Sequence, residues 1–145
     1  MNIALLAHDR RKELMVQFCV NHCGVLAKHT LCATAATGKL VSDATGLQIQ
    51  RFMSGRDGGD EQIAARIANK EVDLLFYFRD CSANAENYAN GNMLLRLCNV
   101  YNIPYATNLV MAELVVKALE RGEFDWTEQY MAPLRKRRSL YGDLY

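Results

Sequence analysis

Short apolar runs alternate with amphipathic stretches along the chain, and this alternation restricts the possible folds more than any other feature of the sequence. Five runs predict strands, the third of them being the weakest: 2–7, 30–34, 47–52, 72–78 and 103–107. The stretches between and after them repeat apolar residues at helical spacing and predict helices at 12–21, 38–44, 61–70, 91–100 and 111–121. Strands and helices that take turns form a parallel sheet covered on both faces. We therefore predict an α/β protein with a single doubly wound, mainly parallel five-stranded sheet.

One domain accounts for the compact part of the chain. The 145 residues are enough for one full hydrophobic core, and no linker, repeat or low-complexity tract divides them. We place the domain at 1–122 and a more polar C-terminal tail at 123–145, where the pattern is compatible with a short helix around 129–137.

Charge and hydropathy argue against several classes of partner. The net charge is +1 and the two signs are mixed, which gives no reason to expect nucleic acid or membrane partners. No apolar run approaches the length of a membrane span, and Met1 leads into a predicted strand rather than into a signal sequence. We expect a soluble cytoplasmic protein.

The cysteines are typical of a reduced core rather than of a disulfide framework. They are five in number, and most lie inside apolar runs. Cys19 and Cys23 lie near His22 and His29, but no complete ligand set with zinc-type spacing emerges. We expect no metal site.

The loop at 53–62 places a carboxylate where a helix begins. Gly58 and Gly59 precede Asp60, and the apolar residues Ile63 and Ile67 then follow at helical spacing. Free N–H groups and the positive end of the helix dipole favour an anion there, while glycines let a ligand approach the backbone. Aspartate is also one of the best N-cap residues, so a purely structural role for Asp60 stays open.

Polar or small residues follow every predicted strand. They are His8, Asp9 and Lys12; Thr34, Ala35, Ala36, Thr37 and Gly38; Ser54, Gly55, Gly58, Gly59 and Asp60; Asp80; and Thr107 and Asn108. Each has an ordinary explanation as a helix cap, turn residue or solvated charge. Because the carboxyl ends of parallel strands share one edge, their convergence favours a site for a small phosphorylated ligand.

Six segments also combine into a specific pattern: AHD at 7–9 with Lys12, ATAATG at 33–38, SG at 54–55 with GGD at 58–60, VD at 72–73 through Phe78, LLRL at 94–97, and NIP at 102–104 with ATN at 106–108. This pattern, running from Ile3 to about Leu119, resembles the methylglyoxal synthase family. The same fold occurs in regulatory domains of carbamoyl-phosphate synthetase and of a purine-synthesis enzyme. The presence of His8, Lys12 and Asp60 together favours the stand-alone synthase.

The resemblance implies an activity and an assembly. Such enzymes convert dihydroxyacetone phosphate into methylglyoxal and inorganic phosphate without a metal or organic cofactor. The resemblance therefore implies a phosphate ester substrate, inorganic phosphate as product and inhibitor, and a homohexamer.

The resemblance also implies a role for individual residues. Asp60 would be the general base, His8 would donate to the substrate oxygens with Asp9 as its orienting neighbour, and Asp80 would support proton traffic. The remaining residues would bind the substrate and its phosphate or support that site: Lys12, Thr34, Ala35, Ala36, Thr37, Ser54, Gly55, Gly58, Gly59 and Asn87.

Two departures from the family pattern bear on the activity. Ala36 stands where the family carries a threonine, which removes one hydroxyl donor. Asn87 and Asn90 fall on the family's histidine and aspartate in the ungapped register between Asp80 and Leu94. An amide donates hydrogen bonds but does not exchange a proton near neutral pH. Two alternatives stay open: a synthase, fast or slow, and a weakened domain that senses a phosphorylated metabolite.

The basic cluster at 135–138 has two interpretations. Such a cluster near a chain end is usually a solvated surface. Alternatively, one arginine reaches the phosphate site of a neighbouring subunit.

Overall fold

A computed structural model describes residues 1–82, 85–127 and 130, without the side chains of 85–90. The predicted tail helix at 129–137 and the basic cluster at 135–138 therefore lie outside the described residues, apart from Tyr130. In the part that is described, no helix is long and apolar enough to cross a membrane.

All five predicted strands are present and form one sheet. They are β1 (Asn2–Ala7), β2 (Thr30–Ala33), β3 (Ile49–Arg51), β4 (Leu74–Phe78) and β5 (Tyr105–Ala106). Every pairing is parallel, and the strand order is β3-β2-β1-β4-β5. The chain builds outward from β1 through β2 to β3, then returns to the other side of β1 for β4 and β5. The predicted fold class is confirmed.

Helices cover both faces of the sheet. They are α1 (Lys12–Asn21), α2 (Cys23–Leu26), α3 (Ala35–Thr45), α4 (Gly59–Ala68), α5 (Ala85–Val100) and α6 (Leu109–Glu120). One face packs on α1, α2, α3 and α6, and its core includes Leu5, Phe18 and Phe76. The other face packs on α4 and α5, around Leu6, Ile63 and Leu75. Successive side chains of β1 and β4 therefore pack into the cores on opposite faces of the sheet, which explains why both strands are apolar throughout.

Four helices begin earlier than predicted: α6 begins at Leu109 rather than at 111, and the other three share a common cause. Helix α3 begins at Ala35, α4 at Gly59 and α5 at Ala85, each earlier than the apolar pattern indicated. The first turns of these helices are small or polar, so they carry no apolar periodicity. The short helix α2 was not predicted, because four residues are too few to show a helical repeat.

The strand order creates a natural ligand site. After β1 the chain continues to β2 on one side of the sheet, and after β4 it continues to β5 on the other side. The boundary between β1 and β4 is therefore a topological switch point. His8 follows β1 and Asp80 follows β4, so both lie at the carboxyl edge beside this point.

Candidate active site

A cleft of about 410 Å³ opens at the carboxyl edge of the sheet. Most of the predicted site residues line it, namely His8, Asp9, Lys12, Thr34, Ala36, Ser54, Gly55, Asp60 and Asp80. Other predicted residues are not among its lining in the described part of the chain: Ala35, Thr37, Gly58 and Gly59. The side chain of Asn87 lies outside the described residues.

Two hydrogen bonds hold the imidazole ring of His8. The backbone N–H of Asp80 donates to Nδ1 at 2.7 Å, and Nε2 lies 3.0 Å from the hydroxyl oxygen of Tyr77. Because a backbone amide can only donate, Nδ1 must be unprotonated, and the neutral ring carries its proton on Nε2. Neutral His8 therefore presents an N–H donor on the side of Tyr77.

Asp9 does not orient His8, contrary to the expectation from the sequence. Its carboxylate accepts from the Lys12 ammonium at 2.8 Å, and its side chain is 83% exposed. The reason is local, because Asp9 begins a short 3-10 turn (Asp9–Arg11) that directs it toward solvent. The orienting groups are Tyr77 and the backbone of Asp80.

The surroundings of His8 favour its neutral form. Burial, followed by the positive charge of Arg79, lowers the pKa of His8 below its ordinary value near 6.5. At neutral pH the ring is therefore an uncharged hydrogen-bond donor, suited to polarising a carbonyl oxygen without carrying a full charge.

Asp60 is not the N-cap of its helix. Gly58 occupies the cap position with φ of +106°, and Asp60 is the second residue of α4. Its carboxylate lines the cleft, where burial and then the charge of Glu61 raise the pKa of Asp60, although Lys12 opposes the shift. A raised pKa makes the carboxylate a stronger base. The geometry excludes the capping interpretation and suits a general base.

The first turn of α3 supplies donors for an anion. Thr34 is the N-cap, and its side chain makes no capping hydrogen bond. The amide of Ala36 has no intrahelical partner at this position, whereas the amide of Ala35 is directed at the carbonyl of Met53 at 3.4 Å. The Thr37 hydroxyl is buried and has no hydrogen-bond partner among the described residues. A phosphate at this helix end would meet unsatisfied donors.

Two further phosphate candidates are engaged with the protein itself. Lys12 Nζ donates to the Ala7 carbonyl at 3.1 Å as well as to Asp9. The Ser54 hydroxyl donates to Asp57 at 2.9 Å, so it must rotate before it can donate to a ligand. Lys12 is thus held in place at the cleft, while Ser54 requires a small rearrangement.

Asp80 is a turn residue whose backbone reaches the site. Its carboxylate accepts from both the hydroxyl of Ser82, at 2.6 Å, and the backbone N–H of Ser82, at 3.0 Å. These hydrogen bonds lower the pKa of Asp80, so its carboxylate is a weak base. Its clearest contribution is the amide that fixes the His8 ring. The predicted role in proton traffic stays a prediction.

Sequence reasoning missed four polar residues that line the cleft: Arg10, Arg56, Tyr77 and Ser82. Arg10 and Arg56 lie in the same strand-end loops as predicted site residues, so the sequence could have indicated that they line the cleft. Tyr77 lies inside β4 and gave no such indication, because a tyrosine in an apolar strand is typical of the core.

The candidate metal ligands have other partners. The His22 ring contacts the carboxylate of Glu113 at 2.9 Å, and His29 Nδ1 lies 3.0 Å from the amino terminus. Within the described ranges, the structure contains no cluster of three or more potential metal ligands. All five cysteines are free thiols, and burial raises the pKa of Cys19 and of Cys98 to about 12.

Gly59 is required by the loop that positions Asp60. A Cβ atom at Gly59 would lie 2.0 Å from the carbonyl oxygen of Met53 and 2.8 Å from that of Ser54. We expect Gly59→Ala to reduce the free energy of unfolding by about 3 kcal/mol, the upper part of the range for overpacking, because backbone atoms must move. Urea titration at a fixed protein concentration measures this change.

Gly24→Ala is the matched control for this substitution. Gly24 lies in α2, where an added Cβ has no atom within 4 Å. This variant should be as stable as the parent or slightly more stable. Equal stabilities of the Gly24 and Gly59 variants would contradict the proposed clash.

Comparison with known proteins finds relatives that match most of the chain. A sequence model of the MGS-like domain family matches residues 15–107. The methylglyoxal synthase of Caldicellulosiruptor saccharolyticus is 49% identical over 139 residues, covering 96% of this chain and 99% of that protein. The methylglyoxal synthase of Clostridioides difficile is 47% identical over 128 residues, covering 88% of this chain and 93% of that protein.

A solved structure agrees with these sequence matches. The crystal structure of methylglyoxal synthase from Elizabethkingia anophelis superposes with a TM-score of 0.71 at 35% sequence identity, covering 79% of this chain and 76% of that chain. Sequence, fold and family model point to one group of proteins, and the resemblance predicted from the sequence motifs is confirmed. The chain belongs to the methylglyoxal synthase family.

Proposed function

We propose that this protein converts dihydroxyacetone phosphate into methylglyoxal and inorganic phosphate, with no metal or organic cofactor. One observation carries the proposal: a partly buried carboxylate with a raised pKa, Asp60, lines the same cleft as Lys12 and the first turn of α3. This arrangement combines a general base with an anion site, which are the two functions that the reaction needs.

The first step is proton abstraction. Asp60 removes a proton from the carbon next to the substrate carbonyl, and the electron pair of that C–H bond moves to form an enediolate. A carboxylate is a weak base for so weak a carbon acid, so the enediolate oxygen must be stabilised. Neutral His8, with its hydrogen on Nε2, belongs to the hydrogen-bonded donor group that faces that oxygen. Removing one such donor from an enzyme typically costs about 10²- to 10³-fold in rate.

The second step is loss of phosphate. The hydroxyl oxygen on the deprotonated carbon gives its proton to the departing phosphate and forms the aldehyde carbonyl. The carbon–carbon double bond shifts to the neighbouring carbon, the C–O bond to the phosphate breaks, and phosphate leaves with the electron pair of that bond. Lys12, the Thr34 hydroxyl and the Ala36 amide hold the departing anion. The remaining enolate then takes the proton that Asp60 holds onto its terminal carbon and becomes methylglyoxal, which returns Asp60 to its ionised form.

A phosphate sensor is the weaker alternative. A sensor has no use for Asp60, whose negative charge opposes binding of an anion. Relatives at 44–49% identity are named as synthases, which also supports the enzyme. Incubation of the pure protein with dihydroxyacetone phosphate should release methylglyoxal and phosphate in equal amounts. Phosphate binding without either product would favour the sensor.

Inorganic phosphate should inhibit by occupying the Lys12 end of the cleft. We expect Lys12→Ala to weaken phosphate binding roughly tenfold, because hydrogen bonds to charged groups contribute about 1.5–3 kcal/mol. Isothermal titration calorimetry measures this affinity. Lys39→Ala is the control, because Lys39 lies on α3 in an exposed ion pair with Asp43. The Lys39→Ala variant should bind phosphate as tightly as the parent. Equal affinities in both variants would remove Lys12 from the phosphate site.

The proposal includes a homohexamer in the cytoplasm. Helix α6 presents exposed apolar side chains, among them Val110 at 72% and Leu114 at 59%, which support a contact between copies. Light scattering should give six times the chain mass of 16.4 kDa. The mixed charge gives no support for nucleic acid or membrane partners. An arginine of the cluster at 135–138 reaching a neighbour's phosphate site stays a prediction.

A further inference from the structure

Tyr77 carries a buried hydroxyl group at the wall of the active-site cleft. It lies in β4, where its neighbours Phe76 and Phe78 face the opposite core, and only 2% of its surface is exposed. Tyr77 nevertheless lines the cleft together with His8 and Asp60. A buried hydroxyl needs a hydrogen-bond partner, and here that partner is Nε2 of His8 at 3.0 Å.

The direction of this hydrogen bond follows from the other side of the imidazole ring. The Asp80 amide donates to Nδ1, so the hydrogen of the neutral ring is on Nε2 and the Tyr77 oxygen accepts it. The hydroxyl hydrogen of Tyr77 is then left to donate elsewhere. Burial, and then the negative charge of Asp60, raise the pKa of Tyr77 to about 12, so this hydrogen is present at neutral pH. A hydroxyl that already accepts a hydrogen bond is polarised and becomes a better donor.

Three neighbours restrict the side chain of Tyr77. The guanidinium carbon of Arg79 lies 5.5 Å from the ring centroid. Gly91 of α5 approaches so closely that a Cβ atom there would lie 2.9 Å from the Tyr77 hydroxyl. The imidazole of His8 meets the ring edge to face, with centroids 5.3 Å apart. Packing therefore restricts where the hydroxyl can lie.

We propose that Tyr77 is a catalytic residue whose hydroxyl donates to the carbonyl oxygen of the substrate and stabilises the enediolate. His8 donates to the Tyr77 oxygen, and Tyr77 donates to the substrate, so the two side chains act as one extended donor. This role presupposes the proposed synthase activity. It assigns the stabilising donor to a residue that the strand pattern alone places in the core.

Tyr77→Phe removes the hydroxyl and keeps the ring. The kcat for methylglyoxal release should fall about tenfold, less than the 10²- to 10³-fold loss of an isolated oxyanion donor, because the freed Nε2–H of His8 can partly substitute. The affinity for inorganic phosphate should not change, since the proposed function places phosphate at Lys12 and the first turn of α3 rather than at Tyr77. A phosphorylated hydroxamate that mimics the enediolate should bind about tenfold more weakly, in step with kcat/KM.

Tyr105→Phe is the matched control. Tyr105 lies in β5, packs beside the same core as Tyr77 and does not line the cleft in the described part of the chain. Its kcat should equal that of the parent. Gly91→Ala is a second test, because its Cβ would press on both the Tyr77 hydroxyl and the Arg79 guanidinium that lies over the Tyr77 ring. It should lower kcat while phosphate binding is retained.

The outcomes separate this proposal from its premise. If the parent makes methylglyoxal and Tyr77→Phe is equally fast, Tyr77 is a core residue and only this inference fails. Parallel losses of kcat, phosphate affinity and stability to urea would show a structural role and would also overturn it. If the parent binds phosphate but forms no methylglyoxal, the proposed function fails, and the role of Tyr77 fails with it.

Discussion

Asp60→Asn should abolish measurable turnover, with a loss in kcat of about 10³-fold or more, near the upper part of the range for general acid–base groups. The amide keeps the shape of the side chain but cannot accept the substrate proton. Phosphate affinity should stay equal or increase, because a negative charge beside the anion is removed. Steady-state kinetics and calorimetry with phosphate measure the two effects separately.

A structural role for Asp60 predicts a different result. If Asp60 only stabilised the first turn of α4, asparagine would replace it with activity nearly unchanged. Turnover equal to that of the parent would remove Asp60 from the mechanism.

The same substitution should also change the pH dependence of stability. Because the pKa of Asp60 is higher in the folded protein than its ordinary value of 3.8, ionised Asp60 lowers stability at pH values above the raised pKa. Asp60→Asn should therefore be more stable than the parent at pH 7. This difference should shrink as the pH falls through the raised pKa and should be lost below pH 3.8. Urea unfolding at several pH values measures it.

Asn87→His should increase kcat by up to about 10²-fold, the lower end of the contribution of a general acid–base group. Asn87 falls on the histidine of the family pattern, and a histidine can exchange a proton near neutral pH where an amide cannot. The gain should appear in kcat rather than in KM, because a proton-transferring group acts mainly on the transition state. Initial rates over a range of substrate concentrations separate the two constants.

Two outcomes would contradict the view that Asn87 slows this enzyme. If the parent is already fast and Asn87→His changes nothing, another group carries the proton, with His8 the first candidate. If neither form releases methylglyoxal although both bind phosphate, the protein is a sensor. Asn90→Asp is a useful companion variant. It restores the aspartate of the family pattern in this segment without adding a group that exchanges a proton near pH 7.

The sequence was sufficient for the sheet and for the edge that carries the site. Strands were recognisable as short apolar runs, and parallel strands that alternate with helices bring their carboxyl ends together. His8, Lys12, Thr34, Ser54 and Asp60 could therefore be assigned to one cleft before any contact was known. The order of strands and helices and the residues that follow each strand are both readable from local sequence patterns.

The tertiary structure alone decided how the groups at that edge interact. His8 is oriented by Asp80 and Tyr77, which lie about 70 residues away in sequence, because β1 pairs with β4. Asp9, the neighbour of His8 in the sequence, accepts a hydrogen bond from Lys12 instead.

Whether Asp60 caps its helix or lines the cleft was also open in the sequence. Its place as the second residue of α4, after a left-handed Gly58, settles the geometry, and its burial raises its pKa. Residue type and order by themselves determined the fold class and the edge of the sheet that holds the site. The pairing register of β1 and β4 decides which distant atoms lie near His8, such as the Tyr77 hydroxyl at 3.0 Å. The direction of these hydrogen bonds and the pKa values in the cleft follow from that register, which no local sequence pattern encodes.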